Sequence, residues 1–259
     1  MFAAALREAL LDGACDLAVH SCKDLPTAPV AGLRIAAVPA REDPRDALCT
    51  AGGAMLADLP RGARVGTGSP RRGAQLLAMR PDLQIVPVRG NVPTRLSRVV
   101  GAVVGADGPL GAVREPDLDA VVLALAGLRR LGLDGYATQV LALPGTGASE
   151  SAPNAAVPIM VPAPAQGALA LETRDNDPDG EGHAPAGDPG LSAALAATLA
   201  ELDNPTTRAA VTAERALIRA LEAGCAAPVG AVAAPATLAD GSEGLRLDAS
   251  SLRLTGRGC

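Results

Sequence analysis

Eight arginines and a single acid, Asp82, lie within residues 61–98, RGARVGTGSPRRGAQLLAMRPDLQIVPVRGNVPTRLSR. The stretch carries +7 in a chain of net charge −5, so the other residues together carry −12. Such a concentration predicts an anionic ligand. Val65 and Gly66 close a short apolar run and Thr67-Gly68-Ser69 forms a tight polar turn. Ser69 followed by Pro70 then has the form of an N-cap and first helical residue. Arg71 and Arg72 fall in the first helical turn, where cations oppose the helix dipole at about 0.3–1 kcal/mol each at a surface. A bound anion reverses that cost, because helix N-termini present free N–H groups and arginine adds forked recognition of carboxylate or phosphate. The second half repeats the arrangement: LQIVPV reads as a buried strand, Arg89 follows it, Gly90 and Asn91 turn, and Arg95 lies in the next helix. The carboxyl ends of strands in open α/β sheets are where ligands bind. A solvated basic face without a ligand is the competing reading.

Of the 23 basic residues 22 are arginine, and Lys23 is the exception. A chain that otherwise uses arginine throughout needs a compact ammonium there. Asp24 stands beside it at the end of a predicted strand, a candidate catalytic pair that competes with an ordinary loop ion pair. Cys15, Cys22, Cys49, Cys225 and Cys259 show no CxxC spacing, so free thiols are expected rather than zinc ligands or a disulfide framework. His20 and His183 have no partners at metal-ligand spacing, and no metal is expected. Cys225 follows a helix end on an accessible loop, a placement that by itself is more often an incidental free thiol than a covalent attachment point.

The elements that must position these residues are read from periodicity. FAAALREALLD (residues 2–12) has helical spacing with Gly13 as C-cap candidate, and DLAVH (16–20) and LRIAAV (33–38) read as strands. REDPRDAL (41–48) has the charged, turn-rich composition of a crossing between domains. Between residues 64 and 126, strands and helices alternate: RVG, a helix from Ser69, LQIVPV, a helix near Thr94, and DLDAVVLALAG read as strand. That is the βαβ signature of a parallel sheet. Arg129 and Arg130 follow on the same sheet edge. GAVVGADGPLGAVREPD and RDNDPDGEGHAPAGDPG read as surface loops, the second mobile. VPAPAQGALALE, after a proline- and alanine-rich run, has the look of a chain returning to its first domain. NPTTRAAVTAERALIRALEAG reads as one amphipathic helix capped at Thr206 or Thr207, apolar at Val211, Leu217, Ile218 and Leu221, and stopped by Gly224. GLRLDA and SLRLTG read as strands.

At 259 residues, 48% hydrophobic and 20% charged, the sequence suits a soluble protein of two or three small domains. It has no apolar run of membrane-spanning length and no signal-peptide pattern, so no membrane association and a cytoplasmic location are expected. Phe2 and Tyr136 are the only aromatics, so the stacking platforms of single-strand binders are missing and no nucleic-acid partner is expected.

The stretches DLAVHSCKDLP, REDPRDAL, VGTGSPRR, DLQIVPVRGNVPTRL, VVLALAGLRRLGL, PAQGALALE and TRAAVTAERALIRALEAGCAAPVG occur in this order over nearly the whole chain. Together they resemble the porphobilinogen deaminase (hydroxymethylbilane synthase) family. The resemblance implies an α/β fold of three small domains, the first two like type II periplasmic binding proteins with a cleft between them and the third a small α+β domain. On this sequence domain 1 is 1–40 with 165–202, domain 2 is 41–164 and domain 3 is 203–259. The resemblance also implies a covalent dipyrromethane cofactor on a thioether to Cys225, contacted by Lys23, Thr67, Ser69, Arg71, Arg72 and Arg95. It implies Asp24 as the catalytic carboxylate, and Arg89, Arg95, Arg130 and Gln166 as ligands of porphobilinogen, four units of which become hydroxymethylbilane. A monomer is expected. Family members carry a further strand, helix and glycine-rich loop ahead of the segment that begins here at Met1, and further elements after Cys259. The chain is therefore expected to be truncated at both ends, lacking the first strand of domain 1 and shortened in domain 3. A non-catalytic anion-binding module of periplasmic-binding type, or an inactive fragment of the enzyme, is the alternative.

Overall fold

The computed structural model describes residues 2–105, 108–111, 115–144, 159–175, 193–222 and 227–252. In chain order the first elements are α1 (Phe2–Leu11), β1 (Ala18–Ser21), β2 (Leu33–Ala37), β3 (Asp46–Thr50), β4 (Arg64–Gly66), α2 (Pro70–Met79), β5 (Gln84–Val86) and α3 (Val92–Val100). There follow the short hairpin strands β6 (Val104–Gly105) and β7 (Gly108–Pro109), then β8 (Ala120–Ala124), α4 (Leu125–Arg130) and β9 (Gln139–Val140). The last are β10 (Leu169–Arg174), α5 (Ala193–Leu202), α6 (Pro205–Ala220), β11 (Val229–Thr237) and β12 (Glu243–Ser251). Contacts divide the chain into two units, one of Met1–Glu42, Pro164–Cys225 and Ala233–Leu247, the other of Asp43–Ala163, Ala226–Val232 and Asp248–Cys259.

In the first unit β10 is the central strand, pairing antiparallel with β1 on one side and β2 on the other. PAQGALALE thus does return to the sheet begun by β1 and β2. The interior is made largely of small side chains, Ala165, Ala168 and Ala170 packing with Cys22, Leu25, Val38 and Val211. The α1 helix follows from a run of strong helix formers and ends before Gly13, whose φ of +71° is the left-handed conformation expected past a helix end. Its Arg7 donates from Nε and Nη2 to the buried Glu172 on β10 at 3.0 and 2.8 Å, so the buried acid is paired. His20 Nε2 lies 3.0 Å from the other oxygen of Glu172.

The second unit holds a five-stranded sheet in the order β5-β4-β8-β3-β9. The β4 strand runs parallel to both β5 and β8, whereas β3 runs antiparallel to β8 and β9. The sheet is therefore mixed rather than parallel. Alternation along the strands places Ala47 and Cys49 of β3 and Val121 and Leu123 of β8 on one face, packed with Leu96 and Val99 of α3 and Leu125 and Leu128 of α4. Leu48, Ala120 and Val122 point to the other face and pack with Leu76 of α2. Layers on both faces explain why β3 and β8 read as continuous apolar runs.

Several predicted boundaries shift, each for a local reason. REDPRDAL is not all crossing, because Asp46 already belongs to β3. LQIVPV is half-buried rather than buried, since β5 is an edge strand and stops before Pro87, which lacks an N–H for the ladder. DLDAVVLALAG is strand only to Ala124; beyond the β-branched Val121 and Val122 the residues are alanine, leucine and glycine, and α4 starts at Leu125. The last long helix is capped by Asn204, not by Thr206 or Thr207, because Pro205 occupies the first helical position and Asn204 Oδ1 accepts from Thr207 N at 2.9 Å. GLRLDA lies in β12, which pairs with β11. His183, Cys225, Cys259, most of RDNDPDGEGHAPAGDPG and the end of SLRLTG lie outside the described residues. Among the described residues, no helix is long and apolar enough to cross a membrane, and no His, Cys, Asp and Glu residues cluster as metal ligands.

Candidate functional site

The basic stretch of the second unit is built at the carboxyl ends of β4 and β5. Thr67 N donates to Val86 O at 3.0 Å, joining the two strand ends, and Ser69 N donates to Thr67 Oγ1 at 3.1 Å, closing the turn. Ser69 then caps α2, its Oγ accepting from Arg72 N at 3.4 Å with Pro70 in the first turn. Gly68 is required by proximity: a Cβ there would lie 2.5 Å from the Val88 carbonyl oxygen. Past β5, Asn91 caps α3 by accepting from Thr94 N at 3.0 Å, and Arg95 Nε donates to Gly90 O at 2.7 Å. Arg89 is exposed beside this turn. Thr67, Ser69, Arg71, Arg72, Arg89 and Arg95 thus share one edge of the sheet. Arg130 is exposed at the last residue of α4.

Arg71 and Arg72 do not project into solvent. They are 3% and 5% exposed, and both reach Asp46 at the start of β3, Arg71 Nη1 at 2.8 Å and Arg72 Nη2 at 2.7 Å. The antiparallel pairing of Asp46 with Ala124 brings the amino end of β3 to the same edge as the carboxyl ends of β4 and β8. Arg72 Nη1 also donates to Val122 O at 3.0 Å, and Arg71 Nη1 to Val161 O at 2.6 Å. One turn on, Gln75 donates to Val161 O and accepts from Val161 N at 2.9 and 2.7 Å. Burial by itself raises the Asp46 pKa, but the two guanidinium charges and their hydrogen bonds outweigh it and hold the carboxyl well below the usual carboxylate range. The helix-end cost of two cations is therefore offset internally by Asp46. Arg71 Nε is buried without a hydrogen-bond partner among the described residues.

The first unit presents a second cluster. After β1 the chain turns through a 3₁₀ helix over Cys22–Asp24. Cys22 and Leu25 are buried and anchor it, and Cys22 N donates to Ala168 O at 3.0 Å. Between them, Lys23 is half-buried and Asp24 exposed. Lys23 Nζ lies 3.4 Å from Oε1 of Gln166, which is fully buried. Gln166 sits in a strained turn in which Ala165 has a φ of 60°, uncommon for a residue with a Cβ. The turn is held by Glu214 of α6, whose Oε2 accepts from Ala165 N at 2.5 Å, and by Arg41, whose Nε donates to Gln166 O at 2.8 Å. Glu214 is fully buried; it receives Arg41 Nη1 and Nη2 at 2.6 and 3.0 Å and Ala233 N at 2.8 Å.

Asp46, Arg41 and Glu214 are not among the site residues expected from the sequence. Asp46 looked like part of a charged crossing, although an acid directly before the apolar ALCT is a position that burial would have to explain. Glu214 offered a clearer signal. With Thr207, Ala210 and Val211 it completes an i, i+3, i+4, i+7 stripe, so a carboxylate occupied a core-facing position. Of the other cysteines, Cys22 and Cys49 are weak nucleophiles, burial raising the thiol pKa of Cys22 and pushing that of Cys49 up to about 12. Cys225 lies beyond the end of α6, which is at Ala220.

Residues 1–181 match the family described as "Porphobilinogen deaminase, dipyromethane cofactor binding domain", and residues 208–256 match "Porphobilinogen deaminase, C-terminal domain". The chain belongs to the porphobilinogen deaminase family. The porphobilinogen deaminase of Micrococcus luteus is 55% identical over 235 residues, 90% of this chain and 59% of that protein. That of Cutibacterium acnes is 52% identical over 233 residues, 90% of this chain and 61% of the relative. The chain thus spans about three fifths of the length of these curated relatives. Among solved structures, an ABC-transporter periplasmic substrate-binding protein from Coxiella burnetii aligns over 82% of this chain and 78% of its own at 18% identity, with a TM-score of 0.39. Lys23, Asp24, Thr67, Ser69, Arg71, Arg72, Arg89, Arg95, Arg130 and Gln166 all lie in the part matching the cofactor-binding domain of porphobilinogen deaminases, and Cys225 lies in the part matching their C-terminal domain.

Proposed function

We propose that this porphobilinogen deaminase family chain acts as a hydroxymethylbilane synthase, condensing four porphobilinogen units head to tail with loss of ammonia. The observation that carries the reading is the 3₁₀ turn at Cys22–Asp24, which sets the only lysine and an exposed carboxylate side by side in a chain of this family. Porphobilinogen and a dipyrromethane made from it carry acetate and propionate groups. A donor set of arginines, one lysine and hydroxyl groups, with Arg71 Nε buried and lacking an acceptor among the described residues, has the chemistry to receive them.

When bound through a thioether to Cys225, dipyrromethane supplies the primer to which substrate units are added. Lys23, Thr67, Ser69, Arg71, Arg72 and Arg95 hold carboxylates of that primer, and Arg89, Arg95, Arg130 and Gln166 orient the incoming substrate. Loss of ammonia from the substrate's aminomethyl group develops positive charge in the pyrrole, and Asp24 stabilises it through the pyrrole N–H. The reading includes three small domains, the first two of type II periplasmic-binding kind, in a monomeric cytoplasmic protein.

Intact mass and porphobilinogen consumption test it together. The whole chain incubated with porphobilinogen should gain the mass of two pyrrole units and consume substrate, and Cys225→Ser should do neither. An adduct that persists in Cys225→Ser overturns the attachment site. A chain that binds porphobilinogen reversibly and gains no mass overturns the enzymatic reading in favour of an anion-binding module.

A further inference from the structure

We propose that Arg215 is a positioning residue for Asp24, acting by clamping the turn that carries it; this rests on the catalytic reading of Asp24. From α6, Arg215 Nη1 donates to Cys22 O at 3.2 Å and to Leu25 O at 2.8 Å, and Nη2 donates to Pro26 O at 2.7 Å. Cys22 O also accepts from Leu25 N at 3.3 Å within the turn, whereas Leu25 O and Pro26 O take their donor from α6. The 3₁₀ helix ends at Asp24, the chain leaves it extended at Leu25, and Pro26 offers no N–H to continue a ladder. One planar guanidinium serves all three, a geometry that an ammonium does not reproduce. Asp24 makes no such anchor itself: its side chain is exposed while Cys22 and Leu25 on either side are buried.

The neighbouring residue of α6 holds the other loop. Glu214 fixes Ala165, next to Gln166, while Arg215 fixes Cys22, Leu25 and Pro26 around Lys23 and Asp24. Two consecutive side chains on one helix therefore set the two loops against each other, and the contact between Lys23 Nζ and Gln166 Oε1 reports their register. Losing Arg215 removes the clamp on all three carbonyls, leaving Cys22 O only its bond from Leu25 N, while every side chain proposed to touch substrate is still present in the chain.

The chain offers a direct assay, because Lys23 is its only lysine and a lysine-specific endoprotease has one bond to cut, Lys23–Asp24. Native-state cleavage follows the population of the opened turn. Arg215→Gln should raise the cleavage rate at least tenfold with a weak urea dependence, the mark of local rather than global opening. In the same protein kcat should fall at least tenfold while KM changes less than twofold and the covalent adduct persists. Arg215→Lys, which keeps the charge and stem, should fall between the two and serves if the glutamine variant does not fold. Unchanged cleavage in both variants overturns the clamp, and faster cleavage with unchanged kcat overturns its bearing on Asp24. If the parent chain gains no adduct and turns nothing over, the enzymatic reading fails, and the cleavage rates alone still decide whether Arg215 clamps the turn.

Discussion

Asp46 Oδ2 lies 2.8 Å from Arg71 Nη1 while its Oδ1 lies 2.7 Å from Arg72 Nη2, so one buried carboxylate neutralises two consecutive arginines in the first turn of α2. Removing the carboxylate leaves two buried cations facing each other. Asp46→Asn should therefore destabilise the protein by about 3–5 kcal/mol, measured by urea denaturation at neutral pH. A loss below about 1 kcal/mol would show that the pair is dispensable.

The same carboxylate predicts a pH dependence. Its folded-state pKa is depressed below the ordinary unfolded value of about 3.9. Its contribution is thus fully present above that value and is lost as pH falls through the lower folded-state one. The stability difference between the parent and Asp46→Asn should be constant from pH 7 to about 5 and shrink progressively below about pH 4. Urea midpoints for both proteins at intervals down to pH 2.5 would check it, and a difference growing on acidification contradicts the assignment.

Glu214 differs from an ordinary ion-pair partner because it also accepts from the backbone N–H groups of Ala165 and Ala233. Replacing both members of a buried ion pair by apolar residues is often neutral. Here the double variant Arg41→Leu/Glu214→Leu should not recover, since two buried donors stay unsatisfied at about 1–3 kcal/mol each. A double-mutant cycle read by urea denaturation measures this, and a double variant as stable as the parent would refute it.

What the sequence could disclose was what is decided within a few residues. Ser69 and Pro70 announce the start of α2, because an N-cap bonds only three positions ahead. Gly13 likewise marks the end of α1. Asp46 was not readable in the same way, since its partners lie 25 and 26 positions on and meet it only because β3 pairs antiparallel with β8. That pairing also turned a sheet expected to be parallel into a mixed one. Asn204 is legible locally, because Pro205 after it marks the first helical position and so places the cap ahead of the two threonines. The Lys23 and Gln166 loops are each legible locally, but that consecutive residues of α6 hold both depends on packing across 49 positions from Ala165 to Glu214 and 189–193 positions from the Cys22–Pro26 turn to Arg215.

Asp24 and the cofactor thiol should separate functionally. Asp24→Ala removes a charge acting on the transition state, so kcat should fall by about 10²–10³ while the adduct on Cys225 is retained. Intact mass and single-turnover kinetics on the same sample make the comparison. Near-parental kcat in Asp24→Ala would end the catalytic assignment.

Two glycines five residues apart should respond to alanine with opposite signs. At Gly68 the new Cβ would stand 2.5 Å from Val88 O, a backbone atom of a buried residue whose strand end is tied to the turn by the Thr67 N to Val86 O bond. Neither side can yield cheaply, and overpacking of this kind costs about 1–3 kcal/mol. The displacement would also separate the Thr67–Ser69 turn from Arg89, so ligand affinity should fall with stability. At Gly73, inside α2, the new Cβ would meet only Ile85 Cγ2 at 3.4 Å. Alanine is favoured over glycine in a helix interior by up to about 1 kcal/mol, so Gly73→Ala should be neutral to stabilising by that amount. Urea midpoints of the two variants decide the matter, and a Gly68→Ala protein as stable as Gly73→Ala would show that the strand ends are not held as closely as the Gly68 to Val88 approach requires.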